Sequence, residues 1–170
     1  PPPGAFLQAT TEGEHSLLYH VKSIVEDARS VIDLFSGCGT FALPLAETKD
    51  VHAVEGEKTM VHTMDAAWRK TEGLKKLTHE ARDLYRRPLL PDELDQFDAA
   101  VIDPPRAGAK AQVRELARSG IKTIAYVSCN PFSFARDSAI LKRTGYDLLF
   151  VQTVDQFLWS PHIELIGAFS

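Results

Sequence analysis

The sequence has little cysteine, no long apolar run and no excess of positive charge. Two cysteines in 170 residues, Cys38 and Cys129, cannot build a disulfide framework. Their scarcity matches a reducing compartment, so a cytoplasmic protein is expected and each thiol needs its own explanation. No apolar stretch approaches the roughly 18 residues of a membrane span, and no membrane partner is expected. The opening PPPGAFLQ lacks the basic-then-apolar order of a secretory signal. It also lacks a Met, so a C-terminal fragment of a longer chain is expected. The formal net charge of −4 at pH 7 argues against a broad phosphate-binding surface. A nucleic-acid substrate stays open, because another part of a longer protein can supply the basic surface. At 44% apolar and 25% charged residues, the composition excludes disorder and predicts one domain with one sizeable core.

Along the chain, apolar β-rich runs alternate with amphipathic stretches. VIDLF (31–35), VHAVE (51–55), a run within LTHEARDL (77–84), FDAAVID (97–103) and TIAYVSC (123–129) read as strands. Helices are predicted at 14–28, 41–48, 57–71, 109–120 and 132–145. YDLLFVQTVDQF (146–157) and IELIGAFS (163–170) close the chain as two strands with no helix between them, so an antiparallel pair is expected. This alternation predicts an α/β fold: a doubly wound, Rossmann-like sheet, mostly parallel, with an antiparallel C-terminal strand. Residues 1–29 would form an N-terminal segment and outer helix, and 30–170 the core. In such sheets ligands bind beyond the carboxyl ends of the strands, so those ends carry the functional information.

The first strand runs into SGCGT, where Gly37 and Gly39 allow a tight turn and close approach of a ligand. GxGxxG is absent, as is the lysine of a phosphate-binding loop, so a nucleotide diphosphate is not indicated. Cys38, between the glycines, reads as a small packing residue. Glu55 ends the second strand, where a carboxylate can accept hydrogen bonds from both ribose hydroxyls of an adenosine, whether of NAD or of S-adenosylmethionine. Asp83, near the end of the third, is placed to contact an adenine amino group. Around it Arg82, Arg86 and Arg87, with Lys75 and Lys76, form the most basic stretch, either a solvated face or an RNA contact. The fourth strand ends in DPPR, where Pro104 and Pro105 fix the backbone and hold Asp103 at the site mouth. The fifth ends in VSCNP, which places the thiol of Cys129 on the same cleft as a nucleophile.

FLQ (6–8), DLFSGCGTFALPLA (33–46), VEG (54–56), DPPRAG (103–108), VSCNPFSFARD (127–137) and HIE (162–164), in this order, resemble the catalytic domain of the RNA uracil-C5 (m5U) methyltransferase family. These are class I S-adenosylmethionine-dependent enzymes acting on tRNA or rRNA. The resemblance covers nearly the whole chain, and the ordered combination of DPPR, SCNP and HIE is its specific part. It implies S-adenosylmethionine as cofactor at Gln8, Phe35, Glu55 and Asp103, Cys129 as nucleophile and Glu164 as general base. Gly37, Gly39, Thr40 and Asp83 complete the expected cofactor site. Thr40 stands where some members have Asn, and Phe132 and Phe134 where many have smaller residues. Full-length members carry an N-terminal RNA-binding region and many an iron–sulfur cysteine cluster. Neither lies in this sequence, and no metal site is expected in it.

The implied chemistry explains the residue types. Carbon 5 of uracil is too weak a nucleophile to take a methyl group unaided. A thiolate added at carbon 6 turns the ring into an enolate. Cys129 should therefore show a lowered pKa or a nearby proton acceptor. A base must then remove the carbon 5 proton; Glu164 is the expected one, with His162 the lesser candidate. The uridine must leave its stack to reach the thiol. Phe132 and Phe134, at i and i+2 of a helix, cannot face the same way, and core packing is expected for both. Arg106 is placed to hold a substrate phosphate or uracil carbonyl. Other readings remain: an amino-group methyltransferase, although Arg106 replaces the aromatic that follows its Pro-Pro turn; a cytosine-C5 enzyme, which shares the thiolate addition; a fragment that binds cofactor without turnover; and a dehydrogenase, against which the missing GxGxxG counts.

Overall fold

The apolar runs read from the sequence become neighbours in one sheet. The computed structural model describes residues 11–154 and 163–170. Its strands are β1 (Ser30–Leu34), β2 (Asp50–Glu55), β3 (Leu77–Ala81), β4 (Ala99–Ile102), β5 (Thr123–Ser128), β6 (Leu148–Val154) and β7 (Glu164–Phe169), in the order β3-β2-β1-β4-β5-β7-β6. The first five pair in parallel. β7 lies antiparallel between β5 and β6, so β6 points the same way as the first five.

Both faces of the central strands are buried, which is why they read as continuous apolar runs rather than alternating ones. Ile32, Leu34, Ile102 and Tyr126 face one layer, packed with residues of α4 (Pro91–Leu94), α5 (Lys110–Leu116) and α6 (Pro131–Arg143). Val31, Val101 and Val127 face the other, packed with α1 (Thr11–Ile24), α2 (Ala42–Leu45) and α3 (Lys58–Lys70). With seven residues, α5 falls short of the roughly 12–15 an isolated helix needs in water, so burial of Val113 and Leu116 must hold it. No helix among the described residues is long and apolar enough to cross a membrane.

Several element boundaries differ from the sequence reading. The helix expected at 41–48 is the single turn α2. Pro44 has no amide hydrogen to donate, and Thr48 and Lys49 both return their amides to the Leu45 carbonyl, closing the turn. α4 was not anticipated, since four residues carry no periodicity. It starts where Pro91 follows Leu90 and the Glu93 carboxylate accepts the Leu90 amide at 2.8 Å. α5 stops at Leu116 rather than 120, and α6 begins at Pro131, whose missing amide costs nothing in a first turn.

Two features of this topology build the site. Beyond β1 the chain crosses to β2 on one side while β4 lies on the other, which opens a crevice above their carboxyl ends. β7 runs the other way, so its first residue, Glu164, lies at the level where β5 finishes: Ser128 pairs with Leu165. Cys129 and Glu164, 35 positions apart in the sequence, are brought to one edge by this reversal.

Candidate active site

A cavity of about 540 Å³ opens above the carboxyl ends of the central strands, within the usual range for small-ligand sites. Its wall contains Phe35, Gly37, Thr40, Glu55, Asp83, Asp103, Cys129 and Glu164, eight of the ten residues assigned to the site from the sequence. Gln8 lies outside the described residues, as does His162. Gly39 is not part of the wall. A Cβ there would come within 2.9 Å of Leu43 and Met64 side chains, so this glycine lets the turn pack against α2 and α3. Cys38 is half-buried and also off the wall.

One end of the cavity is aromatic. Phe35 has φ 63°, a conformation that costs a bulky residue roughly 1–3 kcal/mol. Its ring meets that of Tyr85 with centroids 5.4 Å apart, and both line the cavity with Leu84 and Met60. Tyr85 was missed in the sequence, where the visible signal was an aromatic just past the third strand. It is placed by Asp83, whose Oδ1 accepts the amides of Tyr85 at 2.9 Å and Arg86 at 3.2 Å. Asp83 therefore shapes the turn as well as lining the cavity. The Glu55 carboxylate accepts the Gly37 amide at 2.9 Å through one oxygen and the Glu57 amide at 2.9 Å through the other. Each oxygen keeps about one lone pair for a ligand.

The other end is acidic. Burial and the adjacent Glu164 push Asp103 up to about 7. Burial alone raises Glu164, which is 2% exposed, to about 7. Beneath them Asp33 is fully buried with neither carboxylate oxygen in a hydrogen bond of normal geometry. Burial, then Asp103, drives its pKa well upward, and the Ala42 amide offsets this only in part. Of the two alternatives expected for Cys129, a lowered pKa is not the one found. Its pKa is raised, by burial, then by Glu164 and Asp103, against which Arg106 pulls weakly. The thiol is not acidified, because burial disfavours the thiolate and the neighbouring carboxylates repel it.

The loop carrying Asp103 is docked on α6. Asn130 donates to the Arg106 carbonyl at 2.9 Å and Arg136 to the Ala107 carbonyl at 2.9 Å. The fully buried Asp137 accepts from the Ala109 amide and the Tyr126 hydroxyl, each at 2.8 Å. Gly108 sits in this seam at φ 75°, where a Cβ would lie 2.5 Å from Arg136 and 2.6 Å from Asp137. Gly108→Ala is expected to lower stability by roughly 1–3 kcal/mol from backbone strain alone, and more once the contact of exposed Arg136 with buried Asp137 is displaced. A urea titration beside the wild type measures the loss.

The family described as tRNA (Uracil-5-)-methyltransferase matches residues 2–169. The chain belongs to this family. An uncharacterized RNA methyltransferase of Rhizobium meliloti is 55% identical over 167 residues, 98% of this chain and 40% of the relative. The 23S rRNA (uracil(1939)-C(5))-methyltransferase RlmD of Hahella chejuensis is 37% identical over 147 residues, 82% of this chain and 32% of the relative. The tRNA (uracil-54, C5)-methyltransferase of Pyrococcus abyssi, solved with S-adenosyl-L-homocysteine, superposes with a TM-score of 0.84 at 28% identity, covering 99% of this chain and 40% of that one. The chain thus spans about 40% of the length of relatives such as the Rhizobium protein. The doubly wound α/β sheet, mostly parallel with an antiparallel C-terminal strand, that the sequence predicts is the one found here, and the superposition on the Pyrococcus enzyme agrees with it.

Proposed function

We propose that this chain is the catalytic part of an S-adenosylmethionine-dependent RNA methyltransferase that places a methyl group on carbon 5 of a uridine in tRNA or rRNA. The observation that carries this is the meeting of Cys129, Glu164 and Asp103 on one cavity wall, a thiol beside two carboxylates titrating near 7.

The residues present suit the cofactor. The aromatic slot of Phe35 and Tyr85 takes the adenine, with Asp83 beside it. The free lone pairs of Glu55 face the ribose hydroxyls, Gly37 and Thr40 let the nucleoside approach, and the acidic end is complementary to a cation. When bound, S-adenosylmethionine supplies an electrophilic methyl group on a positively charged sulfur. Asp103, freed of its proton, holds that positive end. Ionisation of the Cys129 thiol is disfavoured while the cleft contains carboxylates alone, and becomes easier once a positive charge lies beside them. The thiol gives up its proton to water, its thiolate bonds to carbon 6 of a uridine turned out of its stack, and the displaced π electrons collect on the ring as an enolate. Carbon 5 then takes the methyl group. Glu164, ionised above about pH 7, accepts the carbon 5 proton. The electron pair of that C–H bond restores the ring double bond and expels the Cys129 thiolate. A carboxylate titrating near the working pH is suited to this transfer.

The test is release of tritium. Unmodified tRNA and 23S rRNA transcripts carrying tritium on carbon 5 of uridine are incubated with the intact protein and S-adenosylmethionine. Tritium should enter water in step with methyl incorporation. Incorporation without release would point to an amino-group methyltransferase, and release only from transcripts labelled at carbon 5 of cytidine would point to the cytosine alternative.

A further inference from the structure

Phe132 is not where core packing would put it. Its side chain is 88% exposed, whereas Phe134 is 6% exposed. Phe134 fills the space above Gly167, where a Cβ would lie 2.6 Å from the ring. It also meets Tyr126 edge-on at 5.4 Å. The apolar face of α6 is thus complete without Phe132.

The backbone of Phe132 is nonetheless fixed. Its amide donates to the side-chain oxygen of Asn130 at 3.0 Å, and the Asn130 amide nitrogen donates to the Arg106 carbonyl at 2.9 Å. Asn130 thereby ties Phe132 to a cavity-wall residue, one position after Cys129. Arg106 lines the cavity, is exposed, and makes no ion pair among the described residues. The first turn of the 13-residue α6 adds a positive helix end. An exposed aromatic, an unpaired guanidinium and a helix N-terminus therefore share the rim beside the thiol. This combination serves single-stranded RNA: aromatics stack on bases, while cations hold phosphates.

Resting on the function proposed above, we infer that Phe132 is a stacking platform for the nucleotide adjoining the target uridine. The target must sit inside the cavity with carbon 6 against Cys129. Phe132 is off the cavity wall, so it meets the neighbouring base. It is a positioning residue that sets RNA affinity rather than the chemical step.

The experiment uses the intact protein, with unmodified tRNA and 23S rRNA transcripts as probes. It measures RNA affinity in the presence of S-adenosylhomocysteine, and separately KM and kcat for methylation. Phe132→Ala should weaken RNA binding and raise the RNA KM by about tenfold, the scale of losing one base–aromatic stack. Its kcat and cofactor affinity should be unchanged. Phe132→Trp should restore the loss and Phe132→Leu should not. Unchanged affinity in Phe132→Ala would overturn the inference, as would full rescue by Leu, which would mark a plain apolar contact with another part of the polypeptide. A wild type that binds these RNAs without releasing tritium contradicts the methylation reading alone, and the affinity series still decides the role of Phe132. A wild type that binds none of them overturns the platform too.

Discussion

Glu164→Gln should turn a catalyst into a trap. Glutamine keeps the shape of the side chain and removes the base. Cys129 can still add to carbon 6 and carbon 5 can still take the methyl group, but the remaining carbon 5 proton has no acceptor. The thiol then cannot leave. Turnover should fall by about 10²–10⁴, the usual contribution of a positioned base. Denaturing gels and intact mass should show protein joined to methylated RNA with an ordinary transcript. The wild type should show a matching pH dependence. Glu164 is raised to about 7, so the rate of product release in a single turnover should climb as pH rises through that value. The Gln variant should show no such climb. A Glu164→Gln protein that turns over normally would place the base elsewhere, with His162 the first to examine.

Asp103→Asn should make the cofactor-free protein more stable while weakening cofactor binding. Asp103 titrates at about 7 in the folded chain against an ordinary value of 3.8. Between those values the unfolded chain has released this proton and the folded chain has not. The unfolded state therefore binds fewer protons, and stability falls as pH rises across that window. A tenfold difference in proton affinity between the two states is worth about 1.4 kcal/mol, so ionised Asp103 costs on the order of a few kcal/mol at pH 8. Asparagine cannot ionise and escapes that cost. The variant should melt several degrees above the wild type at pH 8, and the gap should close near pH 4. Isothermal titration with S-adenosylmethionine should meanwhile show binding weakened by at least about tenfold, as befits loss of a charge-assisted contact. A variant less stable than the wild type at pH 8 would mean that Asp103 is held by partners that stabilise its charge.

The strand ends were legible because each strand carries a short signature where it stops, and a parallel sheet gathers those ends on one side. Eight of the ten residues read as site residues line the same cavity for that reason. What the sequence hid was set by distance along the chain. Two closing strands with no helix between them predict an antiparallel pair, which forms. They do not reveal that β7 inserts beside β5, and that insertion delivers Glu164 to Cys129. Which of the two alternatives expected for the thiol would hold was hidden too, since it depends first on burial and then on Glu164, which only the fold brings to it. Core packing was expected for both Phe132 and Phe134, and it holds only for Phe134, because Gly167 makes room under that ring alone while Phe132 stays exposed.

The most direct measurement is a covalent trap with 5-fluorouridine. A fluorine on carbon 5 cannot depart as a cation, so elimination stops with the thiol still bound to carbon 6. The intact protein is mixed with S-adenosylmethionine and a 5-fluorouridine RNA, and its mass is recorded. The expected result is a gain equal to the RNA plus one methyl group, absent in Cys129→Ala. The same gain persisting in Cys129→Ala would contradict the assignment of Cys129 as the nucleophile.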